Sequence, residues 1–259
     1  MKAVMLAAGV GSRLAPDETE PSPKVLLRFG GKSLLEHHLE IFQQHGIDEL
    51  VIGVGYKNQE IEQEILDLGA GDFVRTILNK DYLDGSILTL WTLRDELRCE
   101  TQVILLDADI LYDNRILERL IKSQHRNSML LDRNFEPGDE PVKICVRDNE
   151  IVEFRKWLST SFDFLGESVG MFKLSHDMAC QIIAQTELYL NQGRRNEAYE
   201  EIIRDVILTS PRGIFAYEDI TGLPWIEIDF QADVMQAKLN ILPRILNEKK
   251  QLQGLSEPT

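Results

Sequence analysis

The amino-acid sequence predicts an α/β protein built on a doubly wound, mostly parallel sheet, with a β-rich insertion and a helical flap. Three observations predict it. Met1–Ala8 is a continuous apolar run ending at Gly9, the pattern of a strand buried on both faces. Strand-like and helix-like segments then alternate as far as Asp132, as parallel crossover units do. From Val142 the pattern changes to short strands, with only Asp148-Asn149 between the first two, as in an antiparallel hairpin.

A glycine-rich turn and a Pro-bearing stretch follow the first strand. Leu34, Leu35, His38, Leu39 and Phe42 then recur at helical spacing, and Gly46 supplies the C-cap. The alternation continues with strands at Glu49–Val54, Phe73–Leu78, Gln102–Leu106 and Ser128–Asp132. Between them lie helices at Gln59–Leu68, Ile87–Leu97 and Asn114–Gln124. Strands Val142–Val146, Ile151–Phe154 and Val169–Leu174 make the insertion. Helices Asp177–Asn191 and Glu197–Thr209 make the flap, the two together covering about residues 141–212. Strands near Ile214–Tyr217 and Trp225–Ile228, and a helix from Ala232 kinked at Pro243, complete one domain over residues 1–246. Residues 247–259 are polar and aperiodic and read as a mobile tail.

The 259 residues carry 43 Asp+Glu against 28 Lys+Arg, a formal charge of −15 that repels nucleic acid and anionic lipid. No local basic patch offsets that field, so neither nucleic acid nor membrane is an expected partner. Apolar residues at 43% and charged residues at 27% exclude a disordered, collagenous or disulfide-stapled chain. Cys99, Cys145 and Cys180 are widely spaced and form no C-x-x-C pair, which points to a reducing compartment and no zinc site. The N-terminal apolar run is too short for a membrane span and lacks a signal-peptide cleavage pattern, so a cytoplasmic location is expected. The oligomeric state is open, a homodimer included.

The first loop, Ala7-Ala8-Gly9-Val10-Gly11-Ser12-Arg13-Leu14, follows a buried strand, where a glycine turn lets backbone N–H groups approach phosphate. It is no dinucleotide fingerprint, because Leu14 stands where the third glycine belongs, and no Walker A loop, because the Gly-Lys-Ser/Thr ending is missing. Arg13 and Lys24 place two cations around this turn, as a polyphosphate requires; solvated turn cations are the bland alternative. Asp107-Ala108-Asp109 ends an apolar strand on the sheet edge where ligands of such sheets gather. Asp107 suits Mg²⁺, whereas Asp109 reads equally as a cap or turn residue. Glu227 and Asp229 share one strand face and are either surface groups or a second metal arm, while Asp233 reads as helix capping.

The loop together with Pro23-Lys24, Asp107-Ala108-Asp109 and Glu227-Ile228-Asp229 resembles the nucleotidyltransferases that join an NTP to a phosphate ester, over roughly residues 1–240. Ser86-Ile87-Leu88-Thr89-Leu90 after Asn79, and the segment Gly166–Ser175, resemble the branch that uses CTP with phosphocholine or 2-aminoethylphosphonate. The resemblance implies a Rossmann-like fold of the nucleotide-diphospho-sugar transferase type. It implies that Ala7, Ala8, Gly9, Gly11 and Ser12 hold the nucleotide, that Arg13 and Lys24 bind its phosphates and serve catalysis, and that Gly85 and Ser86 lie near the base. It also implies that Asp107, which borders the nucleotide, holds Mg²⁺ with Asp229, Glu227 being a third candidate. The acidic stretch Pro16–Pro23 departs from the pattern.

An ionised phosphate nucleophile, with its second pKa near ~6, needs no general base, so catalysis reduces to positioning and charge neutralisation. As a loop cation, Lys24 is expected to add little to folding. Trp157, Phe162, Phe164, Glu167, Tyr199 and Glu200 are expected to form an aromatic and acidic pocket for an amine on the acceptor. A sugar-1-phosphate nucleotidylyltransferase and a non-catalytic nucleotide sensor are the alternatives; the failed glycine fingerprint disfavours a dehydrogenase.

Overall fold

A computed structural model describes residues 1–14, 20–135, 138, 141–158 and 160–247. Half of the acidic Pro16–Pro23 stretch, residues 16–19, and nearly all of the expected tail lie outside these residues. Strand β1 (Lys2–Ala7) runs into the glycine turn, and two short antiparallel strands, β2 (Arg28–Phe29) and β3 (Lys32–Ser33), precede helix α1 (Leu34–Gln44). Ser33 caps α1 by accepting the Glu36 N–H at 3.1 Å. Then come β4 (Glu49–Val54), α2 (Asn58–Asp67), β5 (Val74–Leu78), α3 (Ser86–Thr92), α4 (Arg94–Leu97), β6 (Val103–Asp107), β7 (Ile110–Tyr112), α5 (Asn114–Lys122) and β8 (Ser128–Asp132). The second half contains β9 (Lys143–Arg147), β10 (Glu150–Arg155), β11 (Phe164–Leu174), α6 (His176–Asn191), α7 (Tyr199–Thr209), β12 (Ala216–Asp219), β13 (Trp225–Glu227) and α8 (Gln231–Gln236).

Among the described residues, nine strands form one sheet with the main path β10-β9-β11-β6-β1-β4-β5; β8 pairs with β11, and β12 with β8. The centre, β6-β1-β4-β5, is parallel, and β11 joins it antiparallel to β6. Alternation along each strand sends successive side chains to opposite faces. Met5, Ile52, Leu106 and Met171 pack under α1, α2 and α5. Val4, Val51, Leu105 and Phe172 pack under α3, α6 and α7. Helices on both faces of a largely parallel centre are the doubly wound arrangement that the sequence predicts.

Within the 141–212 stretch the hairpin β9-β10, with Asp148 and Asn149 both at positive φ, extends the main sheet, and α6 and α7 share one apolar core with α3. The helix expected at Ile87–Leu97 is interrupted at Leu93. The C-terminal helix passes Pro243 through a π-helical stretch, Ala237–Ile241, which loosens the turn where a proline lacks an N–H and crowds the carbonyl four residues back; helix then continues over 242–247. A smaller apolar cluster including Leu14, Leu111, Ile228, Val234 and Ile241 ties that helix to the end of the glycine turn and to β7 and β13. Among the described residues, no helix is long and apolar enough to cross a membrane.

Candidate active site

The glycine turn lies at the carboxyl end of β1, beside the carboxyl end of β6. Gly11 adopts φ +69°, and a Cβ there would stand 3.1 Å from Lys24 Cγ, so glycine both permits the turn and leaves room for the lysine stem. Lys24 opens a short 3₁₀ turn whose next residue, Val25, is buried in the core and thereby fixes the lysine's direction. Its Nζ donates to Asp109 Oδ2 at 2.8 Å and to Asp229 Oδ1 at 2.6 Å. Burial alone would lower the ammonium pKa, but the two carboxylates outweigh it and hold the group above the ordinary lysine range. Arg13 Nη2 donates to the same Asp229 oxygen at 2.8 Å, and its guanidinium lies 5.4 Å from the Phe230 ring centroid. The Lys24 side chain is only 15% exposed, against the bland alternative of a solvated turn cation.

The acids converge through a strand pairing that the sequence does not announce. β13 runs antiparallel to β7 with Glu227 opposite Ile110, and the Ile228 N–H donates to the Asp109 carbonyl at 2.9 Å. Asp109, Glu227 and Asp229 therefore present carboxylate oxygens within 4.8 Å of one another. Asp233 caps this arm, its Oδ2 accepting the N–H groups of Asp229 (2.9 Å) and Phe230 (2.6 Å), as its sequence context predicts.

Asp107, expected beside Asp229, stands outside this trio. It stays at the end of β6, where the Tyr199 hydroxyl donates to its Oδ2 at 2.6 Å, while the interruption between strands β6 and β7 carries Asp109 toward β13. Burial, with Asp109 and Glu200 nearby, holds its carboxyl well above the usual range. Gly170, at φ +68°, makes that seat possible: a Cβ there would lie 2.4 Å from Asp107 Oδ2. The sequence gives Gly170 no role, although it lies inside the quoted Gly166–Ser175 segment.

A cavity of about 370 Å³ gathers the sequence-predicted nucleotide residues Ala7, Ala8, Gly9, Gly11, Ser12, Arg13, Lys24, Gly85, Ser86 and Asp107 on one wall system. Ser86 Oγ also accepts the Tyr199 N–H at 2.9 Å, joining the start of α3 to the start of α7. A recess of about 90 Å³ opens beyond Asp107 and is lined by Lys156, Ser168, Tyr199 and Glu200. The sequence gives Lys156 no role; its one local signal is a cation just past the end of β10.

The six residues expected to line an acceptor pocket do not come together. Tyr199 and Glu200 face the nucleotide cavity and the recess. Glu167 faces a larger cavity of about 710 Å³ with Asp132, Trp225, Phe230 and Asp233, which shares Glu227 and Asp229 with the glycine-turn cavity. Burial first, then Asp132, pushes the Glu167 carboxyl up to about 7. Phe164 lies three residues from Glu167 on β11, so strand alternation turns it away; it packs on Tyr217 and under the Arg133 guanidinium. Trp157 and Phe162, in the β10-β11 connection, are 64% and 37% exposed and line neither cavity.

The chain is 25% identical over 254 residues to the CTP:phosphoglutamine cytidylyltransferase of Campylobacter jejuni subsp. jejuni, covering 90% of this chain and 98% of that protein. It is 33% identical over 127 residues to the choline-phosphate cytidylyltransferase of Streptococcus pneumoniae, covering 48% of this chain and 52% of that one. Among solved structures, the inositol-1-phosphate CTP transferase from T. maritima superposes with a TM-score of 0.76 at 18% identity, over 94% of this chain and 95% of the other, a likeness of fold. The model of the MobA-like NTP transferase domain matches residues 3–158, more than half of the chain and the part that carries the glycine turn, Lys24 and both strand-terminal aspartates. This chain therefore belongs to the MobA-like NTP transferase family and is a nucleotidyltransferase.

Proposed function

We propose that this protein transfers CMP from CTP to a small phosphate or phosphonate that carries an amine, releasing pyrophosphate. The observation that carries the reading is the meeting of Lys24 and Arg13 with Asp109, Glu227 and Asp229 at the mouth of the glycine-turn cavity. The relatives' names, cytidylyltransferases for phosphoglutamine and for choline phosphate, support CTP as the donor and a phosphate group as the nucleophile.

In this reading the backbone of the glycine turn receives the triphosphate. Lys24 and Arg13 then neutralise its charge against the incoming anion, which is already ionised and needs no proton removed. Lys156, in the recess beside Asp107, faces the second anion, so donor and acceptor phosphates meet between cations. The donor set of Asp109, Glu227 and Asp229 fits a hard divalent cation: all its groups are carboxylate oxygens, and the charge among them in this structure is an ammonium. Mg²⁺ held there, with Asp107 alongside, would supply Lewis-acid stabilisation of the developing phosphate charge.

Pyrophosphate release measured across four NTPs, with phosphorylated amines, alcohols and sugars as acceptors, tests the reading. CTP with an amine-bearing phosphate should give the highest turnover. Preference for a sugar phosphate would favour the sugar-1-phosphate alternative, and release from no pair would favour a nucleotide sensor.

A further inference from the structure

His38 has no role in the reading so far, and its position gives it one. It sits on the inner side of α1, fully buried, against the back of the segment that carries the aspartates. Along that segment Ala108, Ile110 and Tyr112 face the α1 core, while Asp109 points the other way, into the site. β6 stops at Asp107 and β7 starts at Ile110, so the Ala108 carbonyl falls in the break between the two strands. Ala108 is 5% exposed, and an unpaired carbonyl at such a position would be costly. His38 Nε2 lies 3.2 Å from that oxygen, and Nδ1 lies 3.3 Å from the Tyr112 hydroxyl.

A carbonyl only accepts, so Nε2 carries the proton, and Nδ1 must accept from Tyr112. Burial keeps the ring neutral, its pKa pushed down to about 4. One imidazole thus spans the strand break from Ala108 to Tyr112. Tyr112 stands opposite Trp225 in the register that also sets Glu227 opposite Ile110, and the Asp109 carbonyl is held by Ile228, next to Asp229.

We infer that His38 is a positioning residue: from behind, it sets the distance between the Asp107-Ala108-Asp109 turn and the Glu227-Asp229 arm. The inference rests on the nucleotidyl-transfer reading above for its catalytic consequence, but its geometric part stands alone. Ångström-scale displacement of groups around a reacting centre costs about 10²-fold in rate.

The test pairs two polar variants. His38→Gln can place a donor where Nε2 stands and keep the Ala108 bond; His38→Asn reaches only the Nδ1 position and loses it. The readouts are kcat, KM for CTP, Mn²⁺ affinity of the CTP-free protein by electron paramagnetic resonance, and melting temperature. The Asn variant should lose about 10–100-fold in kcat and bind Mn²⁺ about tenfold more weakly, with KM for CTP nearly unchanged, while the Gln variant stays within about threefold of wild type. Equal kcat and Mn²⁺ affinity in Asn, Gln and wild type, or a loss confined to melting temperature, would overturn it. If the Asn variant does not fold, long-range ¹H–¹⁵N NMR of wild-type His38 decides: an Nε2–H tautomer is expected, and an Nδ1–H tautomer overturns the assignment. Absence of wild-type turnover with every acceptor would instead indict the proposed function, leaving the Mn²⁺ and tautomer readouts intact.

Discussion

Replacing Lys24 with Ala removes the ammonium that bridges Asp109 and Asp229 at 2.8 and 2.6 Å. Taking away one partner of a buried ion pair costs roughly 3–5 kcal/mol. Asp229 keeps Arg13 and both acids retain some solvent contact, so the lower end, about 3 kcal/mol, is expected here. At about 2–4 °C per kcal/mol for a chain of this size, the melting temperature falls by about 6–12 °C at neutral pH. The pH dependence has a definite sign. The lysine's folded pKa is raised, so its stabilising contribution is present throughout the neutral range. In the variant Asp107 and Glu227, whose carboxyls burial and neighbouring acids already hold well above the usual range against the pull of Lys24, rise further, so stability is recovered as pH falls and they take up protons. The gap to wild type therefore narrows toward pH ~5. Turnover falls by about 10²–10³-fold, the usual cost of removing a group that meets transition-state charge. Calorimetry across pH, combined with a coupled pyrophosphate assay, measures all three quantities. A gap that widens toward acid, or a variant with wild-type turnover, would refute the reasoning.

Gly170→Ala puts a Cβ 2.4 Å from Asp107 Oδ2 at a backbone angle that L residues rarely adopt, so kcat should fall at least about tenfold; unchanged kinetics would remove Asp107 from the site. Glu167→Gln should stabilise the fold above pH ~7, because a carboxyl whose folded pKa is raised to about 7 loses stability as pH rises from its unfolded value to that point. The gain has a ceiling of about 3 kcal/mol, and superimposable melting curves against pH would contradict it. Chelation by EDTA should abolish turnover and added Mg²⁺ restore it, whereas activity in excess chelator would contradict the metal assignment.

The parallel centre is legible in the sequence because both-face burial leaves unbroken apolar runs, and β4 falls at the predicted residues; β8, buried throughout but outside that centre, does so too. The hairpin at Asp148-Asn149 is legible because both turn residues tolerate positive φ. What stays hidden depends on tertiary pairing. β7 is three residues long and has no pattern of its own, yet its register with β13 gathers Asp109, Glu227 and Asp229. Asp109 therefore reads as a turn residue in sequence and as a partner of Lys24 in space. Likewise Glu167 and Phe164 look like neighbours along the chain, but a three-residue separation on a strand sends them to opposite faces. His38 reads as one of five apolar-spaced positions on a helix; nothing local reveals that a strand break lies behind it.

The transfer itself is most directly tested by ³¹P NMR of the wild-type protein with CTP, Mg²⁺ and either 2-aminoethylphosphonate or phosphocholine, compared with an isosteric acceptor lacking the nitrogen. The account predicts a coupled pair of resonances from a new P–O–P linkage joining CMP to the amine-bearing acceptor, stoichiometric with pyrophosphate, and a much weaker pair with the neutral isostere. Pyrophosphate accompanied only by free CMP, or equal use of the neutral acceptor, would contradict it.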